Sequence, residues 1–118
     1  MDNIIKLNAE QQIVTAALMV PDETDLQGDS ISADEIQACC HRFAEDYLSG
    51  RASMNLEHEQ DTEDILVVES FIAPVNYTDH GKKIKKGTWI LSSKILNKDV
   101  GPLQAGRVHG LLNWGFWN

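Results

Sequence analysis

The stretch "SADEIQACCHRFAEDYLSG", Ser32 to Gly50, decides how the rest of the chain is read. Ser32 with Glu35 three residues later is the N-cap and N3 pair of a capping box. Ile36, Cys40, Phe43 and Tyr47 recur at i, i+4, i+7 and i+11, which lays one apolar stripe along a helix. Gly50 stops the pattern in the C-cap region. The spacing therefore predicts one main amphipathic helix over 32–49, whose stripe must be covered by another layer. His41 falls about 140° round the helix from Ile36 and reads as a surface histidine.

On both sides of this helix the period changes to that of strands. "QIVTAALMVP", Gln11 to Pro21, places Ile13, Thr15, Ala17 and Met19 on one face. Val14, Ala16, Leu18 and Val20 take the other, so the strand is expected to be covered on both sides. "ILVVESFIAPV" reads the same way, interrupted by Glu69 and Ser70 and stopped near Pro74. "WILSSKIL", Trp89 to Leu96, sets Leu91, Ser93 and Ile95 on one face. "NYTDHGKKIKKGT" reads as a long hairpin or loop. Strand, helix and then several strands predict an α+β fold: a mostly antiparallel β-barrel or sheet with one main packed helix, 32–49. The 118 residues suit one domain over 1–118.

Charge narrows the partners. The formal net charge is −8 and the pI about 4.8, which opposes general nucleic-acid binding and adhesion to anionic membranes. Against that background Lys82, Lys83, Lys85 and Lys86 fall within five positions. No run approaches the roughly 18 apolar residues of a membrane span. "MDNIIKLNAEQQ" lacks the apolar core of a signal peptide, so a cytoplasmic protein is expected. Adjacent Cys39 and Cys40 are poorly placed for a mutual disulfide and read as reduced thiols. The acidic stretch "DETDLQGD" fails the calcium-loop pattern, because Gly28 falls one place late and position twelve is Ala33.

His58, in "SMNLEHEQ", ends an alternating segment whose apolar side carries Met54 and Leu56. Three roles compete for it: general base, metal ligand and exposed strand-end histidine. No HxxxH, HxH or CxxC spacing supports a metal. A general base needs a serine or cysteine within hydrogen-bond reach, and Ser70, Ser92 and Ser93 are the strand-borne serines. No GxSxG elbow accompanies them.

Four stretches in order add a further signal: "QQIVTAALMVPDETDLQGDSISADEIQACCHRF", "MNLEHE", "VVESFIAPVNYT" and "KKGTWILSSKIL". Together they resemble the XkdF-like family of phage serine proteases, which belong with the prohead maturation proteases. The resemblance runs from about Gln11 to about Gly106. It implies an assemblin-like fold, a β-barrel with packed helices. It implies a serine endopeptidase that cleaves scaffold and capsid proteins inside an assembling prohead, in the bacterial cytoplasm, without a cofactor. The family's "LxH(N/E)" histidine falls on His58, which would be general base to a serine. The family's "GFS" serine falls on Leu112 by spacing from Gly106, or on Trp117 when Gly115 and Phe116 are aligned.

Neither residue can attack a carbonyl, so the domain reads as truncated or degenerate after about 106, and as inactive. A degenerate copy, a lost or frame-shifted end, and replacement by Ser70, Ser92 or Ser93 are the three explanations. The alternative function is a non-catalytic capsid-assembly or scaffold-binding module on the same fold, with the lysine cluster meeting acidic scaffold segments. A homo-oligomer through Trp114, Phe116 and Trp117 is a further expectation.

Overall fold

A computed structural model describes residues 3–24, 28–49 and 65–96. Within them the order is β1 (Ile4–Asn8), β2 (Ile13–Met19), α1 (Ala33–Leu48), β3 (Ile65–Ile72), β4 (Tyr77–Asp79), β5 (Lys82–Ile84) and β6 (Trp89–Ile95). The fold is α+β, with one helix and antiparallel sheets. The segment "SMNLEHEQ" and the C-terminal "LLNWGFWN" lie outside the described residues.

The helix forms where its caps and stripe require. Ser32 Oγ accepts from the Glu35 N–H, and the Glu35 carboxylate accepts from the Ser32 N–H, which closes the capping box. Ile36, Cys40 and Phe43 are buried and Tyr47 is half-buried, as the spacing predicts. Ser49 is the C-cap residue, and its N–H reaches back to the Glu45 carbonyl at 3.1 Å. His41 is exposed. Cys39 and Cys40 are free thiols.

Four strands pair in the order β1-β2-β6-β3, and β4 pairs with β5 as a separate ribbon. Among the described residues this is an open sheet rather than a closed barrel. The N-terminal "IIKLN" is a short strand, although its alternation is too brief to mark it in the sequence. It pairs with β2 across a turn in which Asn8 Oδ1 accepts from the Gln11 N–H at 3.0 Å.

α1 covers one face of the sheet. The core there joins Ile36, Cys40 and Phe43 of the helix to Ala16, Leu18, Met19, Ile65, Trp89, Leu91 and Ile95. Phe43 stacks on Tyr47 at 5.4 Å between ring centroids and tilts against Trp89 at 5.7 Å. On the opposite face Ile5, Ala73, Ile84 and Ile90 form a second cluster, partly roofed by the β4–β5 ribbon. Two apolar layers therefore flank β2 and β6, and both strands are buried almost throughout. No helix among the described residues is long and apolar enough to cross a membrane.

Two bulges alter the alternation read from the sequence. Between Ala17 and Met19 the register of β2 slips against β6, so Met19 joins Ala16 and Leu18 under the helix instead of sharing a face with Ala17. A second slip lies between Val67 and Glu69 of β3. β3 is also the end strand of the four, and Leu66, Val68 and Phe71 stay largely exposed. The expectation of a strand covered on both sides fails there.

Candidate functional site

His58 lies outside the described residues, as do Leu112 and Trp117. The three strand serines are described, and the structure separates them sharply. Ser92 is 0% exposed and Ser93 3%, both within the central strand β6. Ser92 Oγ is 2.7 Å from Thr15 Oγ1, its cross-strand neighbour on β2. Neither hydroxyl is open to a substrate carbonyl.

Ser70 is exposed, and the bulge in β3 determines where it points. Ile65 and Val67 pack toward the helix. One extra residue, Val68, then shifts the frame, and Ser70 and Ile72 continue on that same side. Were the same sequence to run as a regular strand with Val68 paired, Glu69 and Phe71 would face α1. Ser70 Oγ accepts from Trp89 Nε1 at 3.0 Å and lies 3.7 Å from Cys40 Sγ. Burial holds the Cys40 thiol above its ordinary pKa, which its contact with Ser70 offsets only in part. A protonated, buried thiol is a poor nucleophile. Among the described residues no histidine is a hydrogen-bond partner of Ser70, so the described part of this cluster holds no general base. It works as a structural tie between α1, β3 and β6. Tyr47 adds a second tie, its hydroxyl accepting from the Val67 N–H at 3.0 Å.

The opposite face carries a charged group that the sequence reading passed over. The β4–β5 ribbon turns at His80 and Gly81, whose φ values of 50° and 79° fit a type I′ hairpin. His80 Nδ1–H donates to Asp79 Oδ1 at 2.7 Å, and Lys6 Nζ of β1 lies 3.3 Å from Asp79 Oδ2. The Asp79 carboxyl is held below its ordinary pKa, chiefly by the His80 hydrogen bond and then by Lys6. Lys6, Thr15, Glu69 and His80 border a cavity of about 460 Å³ between the two hairpin tips. The turn signal "TDHGK" was legible, but its contact with β1 was not, because β1 itself was missed. Among the described residues, no group of three or more His, Cys, Asp or Glu is placed to hold a metal ion.

Comparison with known proteins adds what the geometry leaves open. A family model described as "Putative phage serine protease XkdF" matches residues 1–111. The chain belongs to the XkdF family. It is 31% identical to YqbD of Bacillus subtilis (strain 168) over 101 residues, which cover 86% of this chain and 30% of that protein. It is 30% identical to the phage-like element PBSX protein XkdF of the same organism over 101 residues, covering 86% of this chain and 35% of that one. The chain thus spans about a third of the length of these two XkdF-family relatives. No solved structure matches it. The family match contains both described faces of the sheet and the segment that bears His58.

Proposed function

We propose that these residues form the histidine-bearing part of a phage serine endopeptidase that processes scaffold and capsid proteins during head assembly. His58 is its general base. The observation that carries this reading is the family match over 1–111, a span that includes "LEHE" and its His58. An antiparallel sheet with one packed helix is compatible with an assemblin-like barrel, the architecture that this reading assumes. The place of action is the assembling prohead in the bacterial cytoplasm.

In this reading the 118-residue chain by itself does not cleave peptide bonds. The positions aligned with the family serine hold Leu112 or Trp117. Ser92 and Ser93 are buried, and Ser70 is engaged by Trp89. Loss of a triad member leaves at most a small residue of catalysis.

A fluorophosphonate probe tests both parts. The chain is expected to stay unlabelled, and labelling that disappears in Ser70→Ala would overturn its inactivity. Leu112→Ser and Trp117→Ser reintroduce a hydroxyl at the aligned positions. Labelling of either variant should require His58. Reactivity unchanged by His58→Ala, or no reactivity in either variant, removes the general-base assignment.

The second reading is a non-catalytic assembly or scaffold-binding module on the same fold, favoured by Leu112 and Trp117 at the serine positions. Binding to the phage scaffold that survives His58→Ala would support it.

A further inference from the structure

The β4–β5 ribbon gathers a chemistry that the rest of the chain opposes. Lys82, Lys83, Lys85 and Lys86 surround it, while the chain outside the ribbon holds six basic residues against 17 acidic ones. On β5 the side chains alternate. Ile84 turns inward to the second core cluster, and Lys83 takes the outward side opposite Thr78 of β4. Lys83, Lys85, Asn76 and Thr78 border an open hollow of about 430 Å³ together with Tyr77 and Ile84. Among the described residues no carboxylate lines it.

The polar groups there are mostly donors. Asn76 Oδ1 already accepts from the Lys86 N–H at 2.7 Å, so the side-chain amide has its NH2 left to offer. Lys85 Nζ donates to the Pro21 carbonyl at 2.9 Å, which anchors the ribbon to the β2–α1 connection and holds that ammonium in place. Lys83 and Lys86 are exposed and make no ion pair among the described residues. The hollow therefore presents a cation, an amide and a hydroxyl on a ribbon fixed at its base.

We infer that this outer face of the β4–β5 ribbon docks an extended acidic segment of a protein partner, with a carboxylate in the hollow and a neighbouring one at Lys86. Two features favour a short peptide over nucleic acid. A long polyanion would have to run past the acidic remainder of the chain, whereas a peptide needs only the ribbon. The aromatic side chain bordering the hollow, Tyr77, is half-buried against the second core cluster rather than laid open as a platform on which bases stack. The site uses neither His58 nor any serine, so it stands or falls apart from the protease reading.

The test is fluorescence anisotropy with a short labelled peptide alternating Glu and Thr. Its Gln and Thr counterpart and a single-stranded oligonucleotide of equal charge are the comparisons. The Glu peptide is expected to bind, more weakly as salt rises, and the Gln peptide is not. The double variant Lys83→Glu, Lys86→Glu should weaken binding by about tenfold or more. Should thermal unfolding show that this variant is not folded, Lys83→Gln removes one charge with little else changed and serves instead. Absent binding, binding indifferent to these lysines, or tighter binding of the oligonucleotide would overturn the inference. So would a dimer of the chain that the lysine variant dissolves, since the acidic segment would then belong to a second copy.

Discussion

Trp89 Nε1 donates to Ser70 Oγ across 3.0 Å, joining the central strand β6 diagonally to the end strand β3. The indole is fully buried beneath α1, and its N–H donates to this hydroxyl. An exposed serine thereby satisfies a core donor. Ser70→Ala removes that acceptor and should cost about 1–3 kcal/mol, the range for losing one side of a buried hydrogen bond. Urea unfolding of the variant checks it. A loss near zero would mean that Ser70 is dispensable to the core.

Gly87 and Gly81 both adopt positive φ, at 91° and 79°, but their surroundings differ. A Cβ on Gly87 would meet Pro21 Cγ at 3.2 Å and Ala33 Cβ at 3.3 Å, while one on Gly81 meets nothing within 4 Å. Gly87→Ala combines backbone strain with crowding at the start of α1 and should cost more than about 1 kcal/mol. Gly81→Asn, which tolerates the left-handed region, should cost clearly less. Thermal unfolding of the two variants side by side decides the order.

The Asp79 carboxyl has a lowered pKa in the folded chain. Its stabilising contribution is therefore fully present above the unfolded-state pKa and is lost as pH falls through the folded one. Asp79→Asn should lower the unfolding temperature slightly at neutral pH, because the Lys6 and His80 partners are partly exposed. The gap between variant and parent should close as pH drops below about 4. A gap that widens in acid would contradict the assignment.

The two thiols should differ in reactivity. Cys39 is half-buried, whereas Cys40 is buried and its pKa is raised by that burial. A thiol reagent at neutral pH should modify Cys39 first and Cys40 only after unfolding. Mass mapping of the labelled peptides reads the order directly.

Much of this architecture was legible in local pattern. The capping box and the stripe from Ile36 to Tyr47 marked α1, and the apolar runs of β2 and β6 marked the strands it covers. The failures share a cause. β1 is five residues long and half exposed, so its alternation is too short to stand out. In "ILVVESFI" apolar residues occur at both parities, so a one-residue slip at Val68 leaves no trace in the pattern. Pairing with β6 alone reveals it. The role of Ser70 was hidden for the same reason, since its partners Cys40 and Trp89 lie 30 and 19 positions away. His58 lies outside the described residues, so its proposed role as general base rests on the resemblance of "LEHE" to the family motif.

The slip at Val68 also bears on how the gene can change. Losing that single codon would turn the bulge into regular strand, leaving Ser70 and Ile72 beneath α1 and Glu69 and Phe71 on the other side. The bulge is therefore a place in β3 where a codon can be lost without exchanging the sides of the residues that follow.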